Sequence, residues 1–127
     1  MPLVINQWFL IIEVIILKKK NVLKRNIDFD RIIKNNKAFK YKYYIIYLEK
    51  TLEIDYHFGL SVGKKIGNAV VRNKVKRQLR EIIDQKDYQN GINCIIIVRK
   101  GVLENSFEQM KNDLHCAFKK LNILKEN

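Results

Sequence analysis

The sequence of 127 residues contains a single proline, Pro2, and five glycines. It therefore lacks the proline-rich and glycine-rich segments that are typical of linkers and disordered chains. The two cysteines, Cys94 and Cys116, form no CxxC motif and no cysteine–histidine cluster with the spacing of a zinc site. We expect both to be reduced, buried thiols and no metal site in the protein, which fits a cytoplasmic location.

Acidic residues are also scarce, because 13 Asp and Glu stand against 25 Lys and Arg, for a net charge of +12. The apolar fraction of 47% is that of a globular protein, and the length suffices for one domain with a core. This charge balance favours a polyanionic partner, either nucleic acid or an anionic membrane surface.

The apolar run from residue 3 to residue 17 is interrupted by two amides and Glu13, and three lysines follow it. A signal peptide carries its positive charge before the apolar segment, and a transmembrane helix needs about 20 apolar residues. A weak membrane anchor, an extra strand or helix, and an extension from a translation start placed too far upstream stay open. We favour the last, so that residues 1–17 are an extension and residues 18–127 form one domain.

The first half of the domain predicts a helix followed by strands. Asn26 or Asp28 can cap a short helix that ends near Asn35. The segment Tyr41–Lys50 is aromatic and β-branched, which is typical of a strand. Its alternation places on one face Tyr43, Ile45 and Tyr47, and on the other Tyr44, Ile46 and Leu48.

The second half adds two helices and at least two strands. Thr51–Val62 indicates one or two strands around a turn, and Gly91–Lys100 indicates a buried strand. Ser106 opens the last helix, where Gln109 completes a capping-box pattern. With a basic helix after Val62, the order is helix, two or three strands, helix, strand, helix. This order predicts an α/β (α+β) sandwich with helices packed on a small sheet.

The basic helix lies in the segment GKKIGNAVVRNKVKRQLREI, which carries seven Lys or Arg before its first acid, Glu81. At about 100° per residue, its apolar positions form one stripe, made of Val71, Val75, Leu79, Ile82 and Ile83. The other side carries Asn73, Lys76, Arg77 and Arg80, with Arg72 at the border and Lys74 at the far flank. One face therefore packs into the core, and the other is a cationic ridge.

The turn before this helix runs from Gly63 to Asn68 and carries Lys64 and Lys65. Free N–H groups at a helix N-terminus favour phosphate, and two glycines allow a close approach. The alternative is a solvated basic face with no partner. Against it, five of the seven cations have no acid three or four residues away, namely Lys64, Lys65, Arg72, Lys74 and Lys76. A Walker loop is excluded because GxxxxGK[ST] is absent.

The stretch GLSVGKKIGNAVVRNKVKRQLREI closely resembles the signature of the bacterial ribonuclease P protein subunit. The matching residues are Lys64, Lys65, Gly67, Ala69, Val70, Arg72, Asn73, Lys76, Arg77 and Arg80. A looser similarity extends from about Lys18 to Leu124. The sequence departs from the family pattern at Gly63, where serine is usual, at His57, where arginine is usual, and at Ile33, where an aromatic residue is frequent.

The resemblance implies an α-β-β-β-α-β-α fold with a left-handed crossover through the basic helix. It also implies that one protein monomer pairs with a catalytic RNA, which uses Mg²⁺ to remove the 5′ leader from precursor tRNA. The implied RNA-binding residues are Lys64, Lys65, Asn68, Arg72, Asn73, Lys74, Lys76, Arg77 and Arg80. A leader cleft between the first helix and the sheet would involve Phe29 and Tyr47, whose rings can stack bases. For both rings, ordinary core packing stays open.

A self-contained ribonuclease needs a general acid and base, or carboxylates that hold a metal. His57 and His115 have no evident acidic or histidine partner, and the acids are scattered. We therefore expect the chemistry in the RNA, no catalytic residue in the protein, and no membrane association. The main alternative is a non-catalytic RNA-binding protein of ribosomal type. A helix-turn-helix DNA-binding protein fits less well, because strands precede the basic helix.

Overall fold

The computed structural model describes residues 27 to 125, and the predicted extension 1–17 lies outside them. The elements are helix α1 (Ile27–Asn35), strands β1 (Ala38–Tyr41), β2 (Tyr44–Lys50) and β3 (His57–Ser61), helix α2 (Ala69–Asp84), strand β4 (Ile92–Val98), a 3₁₀ helix (Lys100–Glu104) and helix α3 (Phe107–Lys120). The predicted order α-β-β-β-α-β-α is confirmed.

The four strands form one sheet in the order β1-β2-β4-β3. The pairs β1–β2 and β2–β4 are antiparallel, whereas β3 and β4 are parallel. Parallel neighbours need a crossover connection, and α2 provides it. The basic helix is thus built into the connection between two adjacent strands. The left hand of the crossover stays an expectation from the resemblance.

The segment predicted as one strand, Tyr41–Lys50, contains the end of β1, a hairpin turn and the whole of β2. β1 ends at Tyr41, β2 begins at Tyr44, and Lys42 has a φ of 53° in the turn between them. Asn-Gly or Asp-Gly usually marks such a turn, and neither is present here. Tyr43 therefore leaves the predicted alternation, and its ring packs against the main core and against Gly101.

The main core lies between one face of the sheet and helices α2 and α3. The buried stripe of α2 is confirmed, since Val75, Leu79, Ile82 and Ile83 are all buried and Val71 packs against them. On α3 the buried positions are Met110, Leu114, Ala117 and Phe118. The capping box of α3 is also present, with Ser106 Oγ accepting from the Gln109 N–H at 3.1 Å.

An aromatic cluster fills the centre of this core. The ring centroids of Phe58 and Tyr88 are 4.6 Å apart, and Phe118 lies 5.8 Å from Phe58. The Tyr88 hydroxyl donates to the Ile83 carbonyl at the end of α2, at 2.6 Å. Phe58 comes from β3 and Phe118 from α3. The cluster therefore joins a strand to both helices on this face.

The opposite face of the sheet carries α1. Ile32 of α1 and Ile95 of β4 are fully buried and form the centre of a second apolar cluster. Phe29, Ile33 and Tyr47 pack around them and are partly exposed. This second cluster is much smaller than the main core. Among residues 27 to 125, the α1 face of the sheet therefore keeps partly exposed apolar and aromatic side chains.

The remaining predictions are refined by the structure. Thr51–Val62 contains one strand, β3, preceded by a loop, and the predicted strand Gly91–Lys100 is shortened to β4. Cys94 is buried as expected, but Cys116 is only half-buried and accepts a hydrogen bond from the Tyr41 hydroxyl at 3.2 Å. Both thiols are free. None of the helices described is long and apolar enough to cross a bilayer.

Candidate nucleic-acid interface

The turn that leads into α2 is held by short-range hydrogen bonds. The Ile66 N–H donates to the Gly63 carbonyl at 3.0 Å, and the Asn68 side chain accepts from the Val71 N–H at 3.0 Å. Asn68 is therefore the N-cap of α2. The sequence predicted only that Asn68 contacts RNA, and this capping role was not predicted. The cap satisfies one of the N–H groups that a helix start leaves without an intrahelical partner. The exposed side chains of Lys64 and Lys65 flank this end.

The two glycines of the turn differ in the space available for a side chain. A Cβ at Gly63 would meet nothing within 4 Å. A Cβ at Gly67 would lie 2.9 Å from Cγ1 of Val71, closer than real Cβ contacts. Gly67 thus allows this segment to pack on the first turn of α2. Gly63 leaves open space at the position where the resemblance led us to expect a serine.

The ridge of α2 is exposed over most of its length. The exposed members of the predicted set are Lys64, Lys65, Asn68, Asn73, Lys74 and Arg77, and the half-buried ones are Arg72 and Lys76. No acid lies in the first turn of the helix. Exposed or half-buried cations therefore extend from the turn to the middle of α2.

Arg80 does not lie on the solvent-facing part of this ridge. It is only 7% exposed and interacts with other groups of the protein. The helical projection placed it with Arg77 because such a projection ignores the elements that pack beside the helix. The projection therefore predicted the exposure of Arg80 wrongly, while its contact with RNA stays a prediction.

A cleft of about 370 Å³ lies between α1, the end of β3 and α2. Its lining residues are Phe29, Asp30, Ile33, Leu60, Ser61, Val62 and Lys76. Phe29 from the first helix and Lys76 from the basic helix thus meet in one cavity. Tyr47 packs in the same apolar cluster as Phe29 but does not line this cavity. The two predicted leader-cleft residues therefore share one apolar cluster, but only Phe29 lines the cavity.

A polar network that the sequence did not indicate crosses the same face of the sheet. Arg31 donates from Nε to Glu49 Oε2 at 3.2 Å and from a terminal nitrogen to Glu49 Oε1 at 2.9 Å. Asn93 Nδ2 donates to Glu49 Oε1 at 2.8 Å, and His57 Nδ1 lies 2.9 Å from Asn93 Oδ1. The hydrogen bond from Arg31 lowers the pKa of Glu49. The network links α1 to β2, β4 and β3.

The second histidine, His115, faces α2. Its Nε2 lies 3.2 Å from the carbonyl oxygen of Ile82, and burial lowers the pKa of its imidazole. A neutral ring that donates to this carbonyl accounts for both observations. His115 therefore joins α3 to α2. In the part of the chain described, no three His, Cys, Asp or Glu side chains are grouped to hold a metal.

Comparison with known proteins identifies the family. The ribonuclease P family model matches residues 17–122. The chain belongs to the ribonuclease P protein family. It is 38% identical to the ribonuclease P protein component of Bacillus velezensis over 113 residues, which cover 87% of this chain and 97% of that protein. It is 42% identical to the component of Mycoplasma capricolum over 108 residues, covering 83% and 99%.

Solved structures of ribonuclease P proteins share the fold. A Staphylococcus aureus RNase P protein, a mutant with defective mRNA degradation activity, superposes with a TM-score of 0.75 at 32% identity, covering 84% of this chain and 92% of that one. The RNase P protein from Thermotoga maritima gives 0.72 at 27% identity, covering 79% and 96%. As a member of this family, the protein is an RNA-binding subunit of ribonuclease P in tRNA 5′ processing, and the RNase P RNA is its partner. The ribosomal-type alternative is thereby set aside.

Proposed function

We propose that this ribonuclease P protein assists a catalytic RNA in cutting the 5′ leader from precursor tRNA, with the chemistry in the RNA. The observation that carries the proposal is the meeting of Phe29 and Lys76 in one cleft beside the cationic ridge. The two histidines support it, because His57 and His115 are each engaged in a hydrogen bond within the fold. His57 Nδ1 also lies 3.8 Å from Oε2 of Glu53, whose side chain is 65% exposed. The same nitrogen already faces Asn93 at 2.9 Å, so the contact with Glu53 is a weak surface pair and not a nuclease acid–base pair.

The ridge and the turn before it bind the catalytic RNA. A net charge of +12 draws the protein to a polyanion, and the exposed cations of α2 neutralise phosphates along one side of the helix. Arginine forks such as that of Arg77 match phosphate oxygens in two places. Arg80 is buried, so it contributes to binding by supporting the exposed cations of the ridge from within the fold. Binding to the RNA therefore depends mainly on the charge of the exposed face of α2.

The cleft receives the single-stranded leader. Stacking on an aromatic ring contributes about 1–3 kcal/mol per base and tolerates any sequence. Phe29 offers such a ring at the cleft, and Lys76 lies where a backbone phosphate can be neutralised. Tyr47 supports this side of the sheet beside Phe29. The protein thus favours precursor over mature tRNA, because only the precursor has a leader.

The RNA subunit holds the Mg²⁺ ions that carry out hydrolysis. Cations on the protein reduce the repulsion between the phosphates of the two RNAs, so that less Mg²⁺ is needed for assembly. One protein monomer per RNA and a cytoplasmic location complete the proposal.

Reconstitution tests it. Catalytic RNA that cleaves precursor tRNA poorly at low Mg²⁺ is assayed with and without the protein, and we expect the protein to restore cleavage. Mature tRNA serves as competitor, and we expect it to compete less well than the precursor. Protein that is folded and binds the RNA but stimulates no cleavage would contradict the proposal. Cleavage by the protein without RNA would place the chemistry in the protein instead.

A further inference from the structure

Helix α1 rests on the sheet through a narrow contact. Ile32 is fully buried on Ile95, while the remaining apolar side chains of this cluster are partly exposed. At about 100° per residue, Phe29 and Ile33 fall to one side of Ile32, about 60° and 100° away. That side lines the cleft. A nine-residue helix seated on one buried side chain is free to roll about its axis unless a second contact opposes it.

The second contact is made by Arg31 on the other flank of the helix. By the same geometry Arg31 lies about 100° from Ile32, away from the cleft. Its guanidinium makes two hydrogen bonds to Glu49 of β2 and a third to Asp28 Oδ1, at 3.0 Å, on its own helix. A planar fork on a carboxylate fixes orientation as well as distance. The helix is therefore held at two flanks.

The acceptor of this fork is itself fixed. Glu49 can only accept hydrogen bonds when ionised, so the Asn93 amide must turn its NH₂ group toward Glu49. The Asn93 oxygen then faces His57 Nδ1, which must be the donor. Asn93 is only 5% exposed, so this arrangement is protected from water. Three strands thus hold the carboxylate that Arg31 binds.

We propose that Arg31 is a positioning residue for the 5′ leader: its fork on Glu49 stops α1 from rolling and so holds Phe29 and Ile33 over the cleft. This inference rests on the proposed function of that cleft. The pair also neutralises Glu49, a carboxylate that would otherwise repel a phosphodiester chain on this face of the sheet. Loss of the fork therefore weakens contacts with the leader in two ways, and it leaves the ridge of α2 unchanged.

The test compares precursor and mature tRNA with the reconstituted ribonucleoprotein. The variants are Arg31→Met, Glu49→Gln and the exchange Arg31→Glu with Glu49→Arg. Lys111→Met is the matched control, because it also removes one cation and breaks an ion pair, that with Glu108 on α3. For each, we measure the affinities for both tRNAs, the affinity for the catalytic RNA, and the melting temperature.

We expect Arg31→Met to reduce the preference for precursor over mature tRNA by about five- to tenfold, the size of one weakly held stacked base. The affinity of Arg31→Met for the catalytic RNA should stay within about twofold of wild type, because Arg31 does not lie on the ridge. For Lys111→Met, which is also off the ridge, all three affinities should stay within about twofold of wild type. The exchange variant recovers at least part of the preference, since it restores an opposite-charge pair across the same gap.

An unchanged preference in Arg31→Met would overturn the inference. An equal loss of affinity for both tRNAs and for the catalytic RNA, with no recovery in the exchange variant, would show a purely structural role for Arg31. That result would also overturn the inference. If Arg31→Met does not fold, Arg31→Lys decides, because it keeps the charge but not the fork. A wild-type protein with no preference for the precursor would instead refute the proposed function of the cleft.

Discussion

Gly67 lies against Val71, with no room for a side chain at position 67. The segment 63–68 is thereby packed closely on the start of α2. A side chain at position 67 would place its Cβ 2.9 Å from Cγ1 and 3.0 Å from Cβ of Val71. Val71 is β-branched and has one strongly preferred rotamer in a helix, so it cannot move aside easily. The glycine is therefore required by packing, although the sequence suggested an approach of phosphate.

We predict that Gly67→Ala lowers the free energy of unfolding by about 1–3 kcal/mol, the usual cost of overpacking. Urea titration measures it. The double variant Gly67→Ala, Val71→Ala should recover part of the loss, because it removes Cγ1 of Val71, the atom nearest to the new Cβ. If Gly67→Ala is as stable as wild type, the turn and the helix are not in tight contact.

Gly63 is the neighbouring case with the opposite expectation. Its side-chain position is open, so Gly63→Ser adds a hydroxyl without a clash. We predict that RNA affinity rises up to about fivefold, the value of one hydrogen bond of about 1 kcal/mol. Gly63→Ala is the control, because it adds the same Cβ without the donor. Equal affinities in both variants would mean that the hydroxyl meets no phosphate.

Arg77 and Arg80 are three residues apart on α2 and should respond differently to removal. Arg77 is exposed, so we predict that Arg77→Ala reduces the slope of log affinity against log salt by about one unit and leaves stability unchanged. Arg80 is 7% exposed, so Arg80→Ala should lower the melting temperature. Binding at several salt concentrations and thermal unfolding measure the two effects. An identical response of both variants would contradict the difference in burial.

The pair of Arg31 and Glu49 predicts a dependence of stability on pH. Because Arg31 lowers the pKa of Glu49 in the folded state, the stabilisation is complete above the pKa of the unfolded chain. It is lost as the pH falls through the lower, folded pKa. We predict that the difference in melting temperature between wild type and Glu49→Gln shrinks between about pH 6 and about pH 3. A difference that is constant over this range would show that Glu49 does not titrate with the fold.

Features set by local rules could be predicted from the sequence. The stripe of Val75, Leu79 and Ile82 follows from helical periodicity, and the capping box of Ser106 and Gln109 from spacing. The signature around α2 indicated both the family and the cationic surface. These features depend on residues close together in the chain, so neighbouring elements did not alter them.

The features that were missed depend on contacts between distant residues. Arg31 and Glu49 are 18 residues apart, and Glu49 and Asn93 are 44 apart, so no spacing rule connects them. The burial of Arg80 depends on the elements beside α2 rather than on its place in the helix. The hairpin turn at Lys42 was hidden because it lacks the usual turn residues. In each case tertiary structure decided what local pattern could not.

The position of β4 between β2 and β3 has a consequence for synthesis of the protein. Among the described residues before Ile92, the β1–β2 hairpin is the only pair of neighbouring strands, because β3 pairs with β4. Until residues 92–98 leave the ribosome, the hairpin and β3 therefore have no strand to join them, and α2 lacks the four-stranded sheet on which it packs. The apolar stripe of α2 packs in the main core, so this part of the core is completed only when the last strand enters between β2 and β3.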